Sequence, residues 1–228
     1  AEFKEERGFM QVAVDAVVFT VLHERLQILL IKRKYPPFKG RYALPGGFVN
    51  QDESLEEAAQ RELTEETGIQ KVFLQQMGAY GAVKRDPRGR ILSVAFLALI
   101  RGDQRLEART DAMEASWFPI DSLPELAFDH HTIVEDALKQ LRYEIQTTNI
   151  AFQILPKMFT LTQLQQLYEA ILEKKLDKRN FRKRIRELEI LKETNESRME
   201  GAHRPARLYS FINEGYSSLR ERVQVFLG

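Results

Sequence analysis

The chain has 228 residues, enough for one large domain or two small ones, and its 43% hydrophobic and 29% charged content is that of an ordinary folded cytosolic protein. The absence of cysteine excludes disulfides, thiolate metal sites and a cysteine nucleophile. No apolar run approaches the roughly 18 residues of a membrane span and no signal-peptide pattern opens the chain, so a cytoplasmic protein with no membrane partner is expected.

The net charge of +1 conceals an asymmetry. Residues 1–149 carry 19 Lys+Arg against 23 Asp+Glu, and residues 150–228 carry 15 against 10. An acidic first part and a basic second part point to two halves with different partners.

The first predicted elements are the apolar, β-branched runs "VAVDAVVFTV" (Val12 to Val21) and "LQILLIK" (Leu26 to Lys32), read as a strand pair around the tight connection "LHER". "KYPPFKGRYALPGGF" then carries prolines and glycines that argue against a long helix or strand. A helix is predicted from about Ser54 to Thr67, capped by Ser54, with Glu56 and Glu57 in its first turn and Gly68 as its stop. "KVFLQQMGAY" and "ILSVAFLALI" read as strands around the polar turn "KRDPRGR", and "EASWFPI" as another short strand. Strands on both sides of one helix predict an α/β fold with a mixed sheet.

From Asp129 to Ile145 the pattern turns helical, with Ile133, Val134, Ala137, Leu138 and Leu141 on one face. This helix either closes the first domain or bridges to the second. "TLTQLQQLYEAIL" is predicted as the next helix and "DKRNFRKRIRELEIL" as another, its Phe181, Ile185 and Leu188 turned inward. A polar loop, "KETNESRMEGAHRPA", and a strand-like "RLYSFI" follow. The boundary is placed near residues 146–152, giving a first domain over 1–148, with the helix 129–145, and a second over 149–228.

Glu62, Glu65 and Glu66 fall at i, i+3, i+4 and are predicted to share one helix face. Three like charges in one turn repel each other, and a hard divalent cation with oxygen ligands, Mg²⁺ or Mn²⁺, would remove that penalty. The Gly46-Gly47 turn lets the backbone approach a metal or phosphate closely. Arg61 is placed to pair with Glu53 and hold the loop to the helix. The competing reading is a solvated acidic face, the usual meaning of a charge run.

The spacing is more demanding than a charge run. Gly47, five residues, Glu53, seven residues, Arg61-Glu62-Leu63, one residue, Glu65-Glu66, one residue, Gly68-Ile69 resembles the Nudix box with every defining position occupied. The resemblance covers about residues 10–125. It implies an α/β/α sandwich that hydrolyses a nucleoside diphosphate linked to another group. It further implies Glu62 and Glu66 as main metal ligands, with Glu65 completing the set and Gly46 contributing backbone. "YPPFKGRYALPGGFV" and "RDPRGRILSVAF" resemble the ADP-ribose pyrophosphatase branch, which implies a substrate site at Arg41, Gly46, Gly47, Arg85 and Arg88, with an ordinary polar hairpin turn as the alternative for the last two. Val83 and Lys84 stand where many members of that branch carry a proline.

In the second part, "KKLDKRNFRKRIR" has eight basic residues and one acid. A basic helix behind another helix is the order of a helix-turn-helix, whose second helix enters the major groove. Asn180, Arg182, Lys183, Arg184 and Arg186 are the expected DNA-facing residues, with Arg182 and Arg184 the pair whose loss should cost most. Arg204 and Arg207 would sit on a wing. A solvated surface helix is the alternative. The order helix, basic helix, "RPARLY" strand resembles the winged-helix domain of the Nudix-related transcriptional regulators, best known as repressors of NAD-biosynthesis genes. That resemblance implies a homodimer on a two-fold double-stranded DNA operator, responsive to ADP-ribose or a related nucleotide. Three functions stay open: a regulator that keeps hydrolase activity, a dedicated ADP-ribose pyrophosphatase whose second domain serves dimerisation, and a sugar-responsive regulator of the same layout. His130 and His131 are read as structural, since neighbouring histidines on a helix point in different directions.

Overall fold

The computed structural model describes residues 9–108, 112–199 and 205–212. Seven strands form one mixed sheet: β1 (Gln11–Leu22), β2 (Arg25–Arg33), β3 (Tyr42–Ala43), β4 (Gly46–Phe48), β5 (Gln75–Tyr80), β6 (Ile91–Leu99) and β7 (Ala112–Pro119). The spatial order is β3-β2-β1-β6-β5, with β4 paired to β1 and β7 to β2. β1 and β2 form a hairpin in which Leu22 faces Arg25. The two intervening residues, His23 and Glu24, both have positive φ, as the strand twist requires of a two-residue turn.

The helix predicted over 54–67 is α1 (Leu55–Thr67). The Ser54 side chain accepts the Glu57 N–H while the Glu57 side chain accepts the Ser54 N–H, a reciprocal cap, and Gly68 ends the helix at φ 79°. α1 buries Ala58 and Ala59 against Val14, Val94 and Phe96 of the sheet. Leu63 has no exposed surface, and its burial contributes roughly 2 kcal/mol. This packing leaves the carboxylates of the following turn on the faces that flank the core.

β5 begins at Gln75, later than the predicted start at Lys71, and β7 begins earlier than predicted, at Ala112. α2 (His130–Thr147) buries Ile133, Val134, Ala137, Leu141 and Ile145. Among the described residues, the chain divides into two compact units. One runs to Val18 and takes Leu29–Ala98 and Arg105–Ala137; the other takes Phe19–Ile28, Leu99–Gln104 and the residues from Leu138 onward.

In the second unit, α3 (Leu161–Leu172) starts at a reciprocal Thr160–Gln163 cap and buries Leu164, Leu167, Tyr168 and Ile171. α4 (Lys178–Glu187) starts at Asp177, whose carboxylate accepts the Asn180 N–H at 2.8 Å. The Tyr168 and Phe181 rings meet edge-on at 5.3 Å and join the two helices. β8 (Leu191–Arg198) and β9 (Ala206–Phe211) form a separate antiparallel hairpin. β8 corrects the sequence reading, in which that stretch is a loop. Nearly all of it is exposed, so it has no alternating apolar face, and its pairing with β9 makes it a strand.

Candidate functional site

The site is built where β4 meets α1. The Gly46 N–H donates to Glu66 Oε2 at 2.9 Å. Gly47 leaves the space that the Glu62 carboxylate occupies: a Cβ there would stand 2.2 Å from Glu62 Oε1. At Gly46 a Cβ would meet the Val14 carbonyl at 2.1 Å, so the β1–β4 pairing also requires glycine. Arg61 fastens the loop to the helix. Its Nε and Nη2 donate to the two oxygens of Glu53, at 2.9 and 2.6 Å, and Nη2 also reaches the Phe48 carbonyl at 3.0 Å. Its Nη1 bonds Glu62 at 2.8 Å and Glu65 at 3.4 Å.

Those bonds draw the Glu53 carboxyl down to about 2, chiefly through Arg61 and then through the Asn50 N–H. A folded value below the unfolded one stabilises the fold fully above about pH 4.5, and the contribution is lost as pH falls through about 2. Glu53→Gln is therefore expected to flatten the melting temperature's decline with acid across that window. An acid limb identical to the parent's would reject the assignment.

Glu62, Glu66, Gly46, Gly47, Arg61, Arg85 and Arg88 all line one cavity of about 310 Å³. Glu65 does not. It turns to a second depression beside Glu56, Glu57 and Phe73. Helix geometry explains the split: relative to Glu62, Glu66 is rotated by about 40° one way and Glu65 by about 60° the other. Among the described residues, no three or more His, Cys, Asp or Glu side chains gather to hold a metal by themselves. Mg²⁺ does not require that, because one or two carboxylates plus water and substrate phosphates satisfy it. The hard oxygens of Glu62 and Glu66 beside a close-approaching glycine backbone fit such an ion. Arg41 lies outside this cavity lining and pairs instead with Glu125 at 2.7 Å.

Part of the cavity lining is cationic and aromatic. Arg88 sits over Phe48 at 4.9 Å and Phe128 at 5.4 Å, and is oriented by Asp86 through Nε at 3.0 Å and Nη2 at 2.7 Å. Burial works against the charge of Asp86, but the Arg88 bonds outweigh it and hold the carboxyl below its ordinary range. The Arg85 side chain is only 3% exposed, and both of its donors on one edge go to Asp129, at 2.9 and 2.7 Å. His130 is buried, which lowers its pKa despite the nearby Asp15. Its neutral ring accepts the Leu44 N–H at Nδ1, 2.9 Å, which leaves the proton on Nε2, 3.3 Å from Asp15 Oδ1. "RDPR" points in the sequence to the arginines, and "LAFDHHTIVEDAL", which holds Phe128 and Asp129, resembles the regulator family, but the roles of Asp15, Asp86, Phe128 and Asp129 are not readable there, since each acquires its meaning from its partner in the fold.

In the second unit, the outward face of α4 exposes Asn180, Lys183 and Arg186, while Arg182 and Arg184 are half-buried beside the inward Phe181 and Ile185. Arg207 lies exposed on β9 and pairs with Glu193 of β8. Arg204 lies outside the described residues. Helix, turn, basic helix and two-stranded hairpin follow in the order of a winged helix.

Two known families match the chain. The "NUDIX domain" family matches residues 11–140, and the "NrtR DNA-binding winged helix domain" matches residues 151–211. The chain belongs to the Nudix-related transcriptional regulator family. The ADPR responsive transcriptional repressor NtrR of Acinetobacter baylyi is 39% identical over 207 residues, 89% of this chain and 82% of the relative. The ADP-ribose pyrophosphatase of Methanocaldococcus jannaschii is 45% identical over 128 residues, 56% of this chain and 73% of the relative. The crystal structure of Shewanella oneidensis NrtR complexed with a 27mer DNA superposes with a TM-score of 0.75 at 33% identity, covering 88% of this chain and 93% of that one. This member of the regulator family carries an unbroken Nudix box and has no helix, among the described residues, long and apolar enough to cross a membrane.

Proposed function

We propose that the chain is a repressor of NAD-metabolism genes that binds ADP-ribose or a related nucleotide in the Glu62–Glu66 cavity. It retains ADP-ribose pyrophosphatase activity and binds operator DNA as a homodimer through α4 and the hairpin. The observation that carries the reading is the joint lining of one cavity by Glu62, Glu66 and Gly46, in a chain whose α4 turns cations outward. The relatives named for ADP-ribose cleavage and ADP-ribose response support the ligand, and the DNA-bound neighbour supports the second half.

Mg²⁺ or Mn²⁺, when bound by Glu62 and Glu66, would neutralise phosphate charge and lower the pKa of the attacking water. The chain's own part is orientation. Gly46 fixes Glu66, Arg61 fixes Glu62, and Arg33, Lys34 and Arg88 line the same cavity and supply positive charge toward a pyrophosphate. Water then adds across the pyrophosphate, giving AMP and ribose 5-phosphate.

The test is direct. Incubation with ADP-ribose and Mg²⁺ should yield those two products, and the same protein should retain a duplex selected from a random pool. Absence of turnover on every nucleoside diphosphate derivative removes the enzymatic half, and absence of sequence-selective DNA binding removes the regulatory half. Gly47→Ala sharpens the first half. The added methyl meets only the far end of Glu62, so stability should change by less than about 1 kcal/mol, whereas Glu62 must leave its place. Turnover should fall at least about tenfold. Parental turnover in Gly47→Ala would mean that the position of Glu62 is immaterial.

A further inference from the structure

Three consecutive residues at the entry to α2 hold three walls of the cavity. Phe128 lies between the guanidiniums of Arg33, at 4.9 Å, and Arg88, at 5.4 Å. Asp129 takes the Nε and Nη2 donors of Arg85. His130 receives the Leu44 N–H and faces Asp15. Phe128 is held at φ 54°, a conformation a bulky residue keeps only where its surroundings impose it.

The far end of the same helix has a grip of its own. Arg142 donates from Nε to the Ile171 carbonyl at 3.2 Å and pairs through Nη2 with Glu173, so it holds the last turn of α3. α2 is unbroken from His130 to Thr147, and its residues belong to the first unit through Ala137 and to the second from Leu138. Thirteen residues separate Asp129 from Arg142 in the chain.

The two arginines contributed by the β5–β6 loop differ in what holds them. Arg88 takes its carboxylate partner, Asp86, from two residues away in the same loop, so that ion pair ties it to no other element. Arg85 is paired with Asp129, 44 residues away at the head of α2. Both arginines line the cavity. A phosphate oxygen that takes the Nε–Nη2 edge of Arg85 must displace the Asp129 carboxylate, because one guanidinium edge offers one bidentate partner. The ligand then binds one state of the Arg85–Asp129 pair better than the other, the only way a ligand shifts an equilibrium.

We propose that the Arg85–Asp129 pair is a latch through which an anionic ligand in the cavity acts on α2, and through Arg142 on α3 of the winged helix. Asp129 and Arg142 are positioning residues, and the inference rests on the ligand-sensing reading above. The experiment measures the affinity for a duplex selected by the parent protein, with and without saturating ADP-ribose, read before turnover depletes it. The quantity compared is the ratio of the two affinities, which a merely structural role would leave unchanged. The parent should show a ratio about tenfold away from one. Asp129→Asn, which keeps the shape and removes the charge, and Arg142→Ala, which is no part of the cavity lining, should each bring the ratio to about one. If Asp129→Asn does not fold, Arg142→Ala decides alone. A folded variant that keeps the parent's ratio overturns the latch while leaving sensing intact. A parental ratio of one at proven saturation overturns sensing, and the latch with it.

Discussion

Glu66→Gln is expected to lower ADP-ribose turnover more than about 100-fold while the protein stays folded. The glutamine keeps an oxygen that accepts the Gly46 N–H, which Glu66 Oε2 receives at 2.9 Å, so the β4–α1 junction keeps its bond. What is lost is the negative charge beside Glu62. Outer residues that merely orient a metal's ligands cost roughly 10- to 100-fold when removed, so a carboxylate that would hold the ion itself should cost about 100-fold or more. Steady-state rates in Mg²⁺, paired with a thermal melt, decide it. Parental turnover in Glu66→Gln would end the hydrolase reading of this cavity. A collapse of the melting temperature would instead mark Glu66 as structural.

The second large effect is expected on DNA. The double variant Lys183→Ala/Arg186→Ala should weaken binding to every duplex. The slope of log K against log salt should become shallower by about two, one for each phosphate no longer neutralised. The sequence alone singles out Arg182 and Arg184. The structure moves the expectation, because those two flank the buried stripe while Lys183 and Arg186 stand outside it. Fluorescence anisotropy across a salt series reads the slope. An unchanged slope would take this face of α4 off the DNA.

Glu53, Arg61 and the stop at Gly68 are legible in the sequence because each depends on neighbours within a turn or a short loop. Asp129 and Asp15 are not legible. An isolated aspartate in a sequence looks the same whether it caps a helix, faces water or clamps an arginine 44 residues away. The polar β8 escapes for a related reason. A strand exposed on nearly its whole length has no alternation to read, and its partner begins only at Ala206.

The sequence by itself determined the two-part organisation, the helices, the Ser54 cap and Gly68 stop of α1, and the spacing that places carboxylates on α1, since these follow from local geometry and from charges close together in the chain. The tertiary structure alone decided that Glu66 and Glu62 share a cavity while Glu65 faces elsewhere, that Arg41 turns to Glu125, and that Arg85 is held by Asp129 at the head of α2. The physical reason is the packing of α1 on the sheet. Burying Ala58, Ala59 and Leu63 sets the helix's rotation, and that rotation selects which of its carboxylates meet the ligand space.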